Sequence, residues 1–398
     1  MPTVESYIAE NEGRFLEELK QFLRIPSVSA VPQHRDDMVR CASFAVEQMR
    51  AAGFKRAEVL PTGGHPLVYG EWLEAPGQPT ALVYGHYDVQ PVDPVDLWTT
   101  PPFDPQVRNN ELYARGSADD KGQVFMHWKA VEAHMAANGR LPINLKMIIE
   151  GEEEVGSENL DRFLAANRDL LGADVAVVSD TGWFARGVPS ICYGLRGITY
   201  LQVDLTGPSA DLHSGSFGGA IANPIQVLAE IIAALKDAHG RVNVPGFYDQ
   251  VRPLGEEERC QFAALPFDDE AYRRELGVPA LFGEEGYSTL ERVWARPTLE
   301  MNGIWGGFTG EGSKTVLPSS AHAKLSCRLV PDQDPEEIAG LVEARLRELC
   351  PPTVTMELTR MHLGKPAVTP LDHPAVQAAA RAVERAFHKP PAVIRPGG

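Results

Sequence analysis

The segment Ala81-Leu82-Val83-Tyr84-Gly85-His86-Tyr87-Asp88 begins as a short apolar run and ends abruptly in ionisable side chains. Two further runs end in the same way, 143–149 in the acidic stretch 150–154 and 175–179 in Asp180. Short apolar runs of this kind are typical of buried strands. The chain therefore contains three predicted strands that are each followed at once by residues able to carry chemistry.

Helical segments separate these strands, at Gly122 to Asn138 and at Ser157 to Leu171. Alternating buried strands and helices predict an α/β fold with a mostly parallel sheet and helices on both faces. Ligands of such sheets bind in the crevice beyond the carboxyl ends of the strands. We therefore expect the three ionisable clusters to lie at one edge of the sheet.

The pattern changes after Gly187, where half-exposed strands such as 199–205 alternate with helices such as 335–349. The order strand–helix–strand–strand–helix–strand predicts a small α+β domain with one exposed sheet face. A chain of 398 residues is also too long for one ordinary core. The predicted division is a catalytic domain at 1–187 and 363–398 and an inserted domain at 188–362.

The bulk composition excludes several classes of function. Hydrophobic residues make up 43% of the chain and charged residues 23%, as in globular proteins, and the formal net charge of -17 argues against a nucleic-acid partner. No stretch is apolar enough to predict a membrane span, and the N-terminus does not resemble a secretion signal. Five widely spaced cysteines predict reduced, mostly buried thiols, and we expect a cytoplasmic protein.

Each ionisable cluster has an ordinary explanation of its own. His86 and Asp88 share a strand face, but a His-x-Asp pair is common on surfaces. The pair Asp119-Asp120 could cap the helix that follows it, and the run 150–154 could be a solvated helix start. With Asp180, however, four clusters converge on one crevice, where crowded carboxylates repel one another unless a cation neutralises them. The sequence therefore predicts a metal centre.

The ligand types indicate which metals fit. A mixed set of histidine and carboxylates suits Zn²⁺, Mn²⁺ or Co²⁺ better than Ca²⁺, which prefers oxygen ligands only. Two such ions about 3.5–4 Å apart would hold a water and polarise a carbonyl, and a free carboxylate beside them would be the general base. A NAD-dependent enzyme is excluded, because no G-x-G-x-x-G motif follows the first strand.

Four motifs occur in a fixed order: Gly85 to Pro91, Arg115 to Gly122, Glu150 to Ser157 and Ser179-Asp180. In this order and spacing they resemble the M20 metallopeptidase family, and the resemblance covers essentially the whole chain. The family includes dipeptidases, aminoacylases, carboxypeptidases and a desuccinylase. Tyr87, the triplet 119–121 and Asp211 to Gly215 resemble most the carnosinase-like branch, which contains the cytosolic non-specific dipeptidases.

The resemblance implies a centre of two divalent metal ions, with Zn²⁺ favoured and Mn²⁺ or Co²⁺ as alternatives. His86 and Asp180 would hold one ion, Glu154 the other, and Asp119 would bridge both. Asp88 would orient His86. The resemblance also implies a cis peptide bond between Asp119 and Asp120.

The expected reaction is hydrolysis of a dipeptide at the amide bond next to a free carboxylate. Glu153 would be the general base that deprotonates the water between the ions and later protonates the leaving amine. The runner-up function is deacylation or desuccinylation of N-acyl amino acids. A third hypothesis is an inactive relative that binds peptide or metal, because family members continue beyond Gly397-Gly398 to a last histidine that completes the second metal site.

The inserted domain resembles the family's lid and dimerisation domain, which implies a homodimer. His213 would reach the partner subunit's site and stabilise the oxyanion there. Arg328 would pair with the terminal carboxylate of the substrate. Taken without the resemblance, His213 is better explained as a loop histidine bonded to its own turn, and Arg328 as an exposed strand residue.

Overall fold

The computed structural model describes residues 2–397, so Met1 and Gly398, the outer limits of the predicted catalytic domain, lie outside the described residues. The chain divides into two compact units, Met1–Gly182 and Trp183–Gly398. Within residues 2–397, no helix is both long and apolar enough to cross a membrane.

The first unit contains a five-stranded sheet with the order β1-β2-β6-β3-β7. Its strands, together with the separate β4–β5 hairpin, are β1 (Arg56–Leu60), β2 (Leu67–Trp72), β3 (Thr80–His86), β4 (Gln106–Arg108), β5 (Glu111–Tyr113), β6 (Asn144–Glu150) and β7 (Val175–Val178). Strands β6, β3 and β7 are parallel, as predicted, whereas β1 and β2 form an antiparallel hairpin that pairs with β6. The sheet is therefore mixed, with the predicted parallel strands at one side.

Helices pack on both faces of this sheet, which confirms the predicted α/β class. They are α1 (Val4–Leu23), α2 (Arg35–Ala52), α3 (Lys121–Asn138), α4 (Leu160–Ala166) and α5 (Arg168–Leu171). In β3, Ala81 and Val83 belong to the core with α1, α2 and α3, while Leu82 and Tyr84 pack with α4 and α5. This division follows from the alternation of side chains along a strand.

Local signals explain where the helices begin and end. Thr3 and Ser6 form a capping box at the start of α1, and Gly53 ends α2 in the left-handed region with φ 108°. The predicted helix from Ser157 to Leu171 is divided into α4 and α5 at Asn167, whose backbone leaves the helical region. Short 3₁₀ turns occupy Pro32–His34, Val95–Leu97 and Glu153–Val155.

The second unit is built on an antiparallel sheet with the order β12-β14-β10-β15. The strands of this unit are β8 (Ser190–Cys192), β9 (Gly194–Leu195), β10 (Gly197–Thr206), β11 (Leu212–His213), β12 (Thr298–Gly306), β13 (Val316–Leu317), β14 (Ser320–Leu329), β15 (Thr355–Gly364), β16 (Ala367–Val368) and β17 (Ala392–Ile394). The helices are α6 (Ser214–Phe217), α7 (Pro224–Ala233), α8 (Glu256–Ala263), α9 (Asp269–Glu275), α10 (Thr289–Trp294), α11 (Pro335–Leu349) and α12 (Pro374–Phe387).

Helices α7 and α11 share a core with one face of this sheet, through side chains such as Leu228 and Val342. The predicted segments of the strand–helix–strand–strand–helix–strand pattern correspond to β10, α7, β14, α11 and β15, and the strand that the sequence did not locate is β12. All five cysteines are unpaired, but only Cys41 and Cys327 are fully buried and Cys260 is exposed.

The segment after β15 groups with the second unit. Strand β16 pairs with β9, and β17 pairs with β8 in parallel register, so residues 363–397 make their strand pairings with the start of this unit. The sequence instead assigned 183–187 and 363–398 to the catalytic domain. Strands β8 and β9 lie directly after the division at Gly182, so β16 and β17, which pair with them, are grouped with the second unit. The predicted domain assignment stays a prediction.

Candidate metal centre

The carboxyl ends of the three parallel strands place the ionisable clusters at one edge of the first unit. His86 ends β3 and lies opposite Glu150, the last residue of β6, while Asp180 follows β7 by two residues. The segment leading into α3 supplies Asp119. This is the edge at which sheets of this type bind their ligands.

Three of the predicted ligands lie close together. The Nε2 atom of His86 is 3.0 Å from Oδ1 of Asp119 and 3.6 Å from Oδ2 of Asp180. One ligand atom from each of the three residues lies within 4.8 Å of the others. His86 is fully buried, Asp180 is half-buried and Asp119 is exposed. A buried imidazole thus faces two carboxylates at a position that solvent can reach.

The other nitrogen of His86 is held by Asp88. Nδ1 lies 3.1 Å from the Asp88 carbonyl oxygen and 3.3 Å from its Oδ1. The Asp88 carboxylate is itself buried and accepts a hydrogen bond of 2.7 Å from Ser29 Oγ. An acceptor at Nδ1 favours the tautomer with its proton there, and Nε2 is then free to bind a cation.

The predicted cis peptide bond between Asp119 and Asp120 is confirmed. Asp120 points inward, where its Oδ2 accepts a 3.1 Å hydrogen bond from the backbone N–H of His86. Among the described residues, its buried Oδ1 has no hydrogen-bond partner. Burial raises the pKa of Asp120 to about 7, although the hydrogen bond and the charge of His86 oppose this shift. The two consecutive aspartates therefore face opposite environments, one exposed beside His86 and one in the core.

Glu153 and Glu154 lie in a 3₁₀ turn after β6. Their backbone N–H groups donate to the Asp88 carboxylate, over 3.3 and 3.1 Å respectively. The Glu154 side chain accepts hydrogen bonds from Gln90, at 3.1 Å from the backbone nitrogen and 2.7 Å from Nε2. Glu154 therefore lies outside the compact group of His86, Asp119 and Asp180, and its role as a metal ligand stays a prediction.

The charges at this edge are poorly balanced. Burial raises the pKa of Glu153 to about 7; the charge of His86 opposes the shift, and Asp180 and Glu154 add to it. Burial also raises the pKa of Asp180 and of Glu154. For His86, burial lowers the pKa, but hydrogen bonds to Asp119 and Asp88 outweigh it and raise the value to about 11. The carboxylates thus lack the positive charge that a divalent cation would supply.

The donor set fits a divalent transition metal. One imidazole nitrogen and two carboxylate oxygens lie within 4.8 Å of one another, and a carboxylate contacts the other nitrogen of the imidazole. Calcium prefers a set of oxygen ligands only, so Zn²⁺, Mn²⁺ and Co²⁺ suit this group better.

The model of peptidase family M20/M25/M40 matches residues 82–398. The chain belongs to this peptidase family. Cys-Gly metallodipeptidase DUG1 of Candida albicans is 34% identical over 98% of this chain and 84% of the relative. The human Beta-Ala-His dipeptidase is also 34% identical, over 99% of this chain and 81% of its own length. The predicted family resemblance is therefore confirmed.

Solved structures of the family have the same fold. The M20 metallo-carboxypeptidase Sso-CP2 of Sulfolobus solfataricus is 35% identical with a TM-score of 0.86, covering 96% of this chain and 86% of that one. Human carnosine dipeptidase 1 has a TM-score of 0.83 at 33% identity and covers 99% of this chain and 87% of its own. This M20 peptidase therefore has the fold that the sequence predicted.

The two residues predicted to contact substrate lie in the second unit of this M20 peptidase. His213 ends β11, where its Nδ1 accepts a 3.1 Å hydrogen bond from Gly215 N–H and its Nε2 lies 3.4 Å from Thr315 Oγ1. Arg328 is half-buried in β14, between Ile198 of β10 and Thr298 of β12. His213 is thus bonded to its own turn, and the roles of both residues stay predictions.

The sequence reasoning missed the residues that support the centre of this M20 peptidase. Ser29 holds Asp88, and Gln90 holds Glu154. Gln90 could have been recognised from the sequence as a residue of the site, because it continues the i, i+2 spacing of His86 and Asp88. Ser29 could not have been recognised, because it lies 59 residues from Asp88 in the sequence.

A further cation in the second unit was also missed. Among the described residues, Nε of Arg196 is buried without a hydrogen-bond partner. Burial lowers the pKa of Arg196 to about 10, and the nearby charge of Arg328 adds to this effect. The negative charge of Glu300 opposes this shift. No short motif around Arg196 would have indicated this buried cation.

Proposed function

We propose that this chain is a dipeptidase that hydrolyses the amide bond next to a free carboxylate, with the help of divalent metal ions. The observation that carries the proposal is the group of His86, Asp119 and Asp180, whose ligand atoms all lie within 4.8 Å at the carboxyl edge of the sheet. Relatives that are about one-third identical over nearly the whole chain are named Cys-Gly metallodipeptidase and Beta-Ala-His dipeptidase.

Four residues would hold two ions. His86 and Asp180 would bind the first and Glu154 the second, with Asp119 between them. Such ions supply a Lewis acid for the scissile carbonyl and lower the pKa of bound water. Zn²⁺ is the ion that we favour, and Mn²⁺ and Co²⁺ fit the same donors. Asp88 keeps the His86 ring in position through contacts of 3.1 and 3.3 Å.

Glu153 would act as the general base. Its backbone N–H is bonded to Asp88, which itself contacts His86, so the Glu153 turn is tied to the metal-binding histidine. In this role the Glu153 carboxylate accepts a proton from the attacking water and returns it to the leaving amine. A positioned base of this kind typically contributes about 10²–10⁴-fold to the rate.

The second unit would supply the groups that recognise the substrate. The guanidinium of Arg328 would pair with the terminal carboxylate, for which its planar fork is well suited. His213 would stabilise the oxyanion in the active site of a partner subunit. These roles follow the family pattern, and the exposed position of His213 on its turn supports a contact outside its own chain.

A homodimer through the second unit is part of the proposal. The edge strand β12 has the exposed apolar side chains Ile304 and Trp305, and Phe217, Ile221 and Phe308 of the same unit are also at least 40% exposed. An exposed edge strand with apolar side chains favours pairing with another chain. The unpaired cysteines also support a reducing compartment, and we place the enzyme in the cytoplasm.

The test is a turnover assay on the purified chain, with and without added Zn²⁺, Mn²⁺ or Co²⁺. Cys-Gly and β-Ala-His are compared with N-acetyl and N-succinyl amino acids under the same conditions. We expect metal-dependent release of amino acids from the dipeptides only. Turnover of the acyl substrates alone would make the enzyme a deacylase, and binding without any turnover would make it an inactive relative.

A further inference from the structure

A second cavity of the first unit lies outside the metal centre, beside the β4–β5 hairpin. We call it the hairpin pocket. Its volume is about 570 Å³, and its lining includes Asp93, Leu97, Trp98, Arg108 and Leu112. Ser117 also lines it, two residues before Asp119, so the pocket borders the segment that supplies a predicted metal ligand.

Two opposite charges of the hairpin pocket lack a partner. Within residues 2–397, neither Arg108 nor Asp93 has an oppositely charged group within 4.0 Å. The Nε atom of Arg108 is buried and has no hydrogen-bond partner in the same range of residues. An unpaired buried donor is costly, because it has lost its hydrogen bonds to water without gaining others. Among the described residues, the pocket therefore has one cation and one anion in its lining without a charged partner.

The guanidinium group is held in place by an aromatic ring. Arg108 lies over the ring of Tyr113, with 4.1 Å between its Cζ and the ring centroid. Tyr113 is itself fixed by a 2.7 Å hydrogen bond from its hydroxyl to Glu111. Because the hairpin carries both residues of the stack, the positive charge has a defined position before any ligand binds.

The rest of the hairpin pocket is largely apolar. Trp98 donates its indole N–H to the Val92 carbonyl oxygen over 2.8 Å, so the polar atom of the ring is already satisfied. Leu97 is 81% exposed, which leaves its side chain available for contact. A pocket lined by an apolar surface, a cation and an anion matches a small molecule that carries both charges and an apolar body.

We propose that the hairpin pocket binds a free, zwitterionic amino acid with an apolar side chain, such as leucine. Arg108 would bind the α-carboxylate, Asp93 the α-ammonium group, and Trp98 with Leu112 the side chain. None of the residues that line the pocket is a predicted metal ligand, and its proposed ligand binding does not depend on the proposed reaction. That reaction would, however, release ligands of this class next to the pocket.

The test is isothermal titration calorimetry of the full chain, as purified with its metal content, with L-leucine. Two analogues serve as probes: 4-methylpentanoate lacks the ammonium group, and 3-methylbutylamine lacks the carboxylate. We expect saturable binding of leucine and at least about tenfold weaker binding of either analogue, since each loses a charge-assisted hydrogen bond. No binding of leucine, or equal binding of all three compounds, would overturn the proposal.

Variants distinguish leucine binding in the hairpin pocket from leucine binding at the metal centre. Arg108→Gln and Asp93→Asn should each weaken leucine binding by about tenfold or more. Asp96→Asn, a neighbouring exposed acid that does not line the pocket, should leave it unchanged. Thr99→Trp fills the cavity from an exposed position and provides a second route if Arg108→Gln does not fold. If Asp180→Ala abolishes binding while the pocket variants do not, leucine binds at the metal centre and the hairpin pocket is not its site.

Discussion

At the level of single residues, the proposed metal site depends on the buried side chain of His86, which has one ring nitrogen held in place and the other facing the predicted ligands. His86 Nδ1 contacts Asp88, while Nε2 faces Asp119 and Asp180. Asp88 also accepts hydrogen bonds from Ser29 and from the backbone of Glu153 and Glu154. One buried carboxylate thus sets the orientation of the histidine and the position of the following acidic turn.

Replacement of Asp88 by asparagine should weaken metal binding without unfolding the chain. The substitution removes the negative charge that orients His86, and losses at such supporting positions are typically about 10–100-fold in metal affinity. Competition with a chromophoric chelator measures this affinity. Ser29→Ala is the matched control, because it removes only one hydrogen bond from the same carboxylate and should have a smaller effect. Unchanged affinity in Asp88→Asn would show that Asp88 does not orient the histidine.

Glu153→Gln should abolish most of the turnover while the metal content stays the same. The amide keeps the size of the side chain but cannot accept the proton, so kcat should fall by about 10²–10⁴-fold. Turnover of a dipeptide and metal content by mass spectrometry are measured on the same preparation. Loss of metal in this variant, with metal retained in Glu154→Gln, would mean that base and ligand are exchanged.

At the scale of elements, the sequence predicted the parts of the fold that contain a continuous apolar run, although β7, which was expected to be buried, is largely exposed. Strands β3, β6 and β7 and helix α3 all begin and end within about one residue of the predicted limits. Their apolar residues and their abrupt polar ends are local properties of the chain. The edge at which we propose the metal site can therefore be predicted from the amino-acid sequence alone, since the prediction requires only that these strands be parallel.

The elements that were missed depend on distant contacts. The β1–β2 hairpin is recognisable only from its pairing with β6, and β12 lies beyond a long polar stretch and is largely exposed. The partner of Asp88 was missed for the same reason, because Ser29 lies 59 residues away in sequence. A single sequence gives the type of a side chain at a strand end, but which neighbour binds it depends on the packing of loops.

The start of α3 tests how an element positions a ligand. A Cβ atom at Gly122 would lie 2.2 Å from the Ser117 carbonyl oxygen, so Gly122→Ala must displace the segment that carries Asp119. We expect weaker metal binding and a loss of about 1–3 kcal/mol in the free energy of unfolding. Gly13→Ala in α1 is the control, because no atom of the described residues lies within 4 Å of its added Cβ apart from its chain neighbours and the backbone of its own helix.

The control variant Gly13→Ala should be more stable than the unmodified chain, not less. Gly13 lies inside a helix, and alanine there should stabilise the chain by about 0.5–1 kcal/mol. Urea denaturation followed by circular dichroism measures both variants, and metal titration compares their centres. Equal stability and equal metal affinity in Gly122→Ala would contradict the role that we give to this close contact.

At the scale of the whole molecule, the proposal places a residue of one subunit in the active site of another. His213→Ala should lower kcat by about 10²–10³-fold, as expected for loss of an oxyanion donor, with the fold intact. When it is mixed with Glu153→Gln protein and the subunits exchange, about a quarter of the wild-type activity should return, because random pairing restores one site in half of the dimers. No recovery after verified exchange would exclude the contribution from the partner.

If His86, Asp119 and Asp180 form a metal site, titration of the metal-stripped chain with Zn²⁺ should reveal it. We expect saturable binding of about two ions per chain, with binding to the His86 site lost in His86→Ala and in Asp180→Ala. Asp96→Asn, an acid outside the centre, should bind like the unmodified chain. Absence of saturable binding, or binding that is the same in His86→Ala and Asp180→Ala as in the unmodified chain, would show that these residues do not form a metal site.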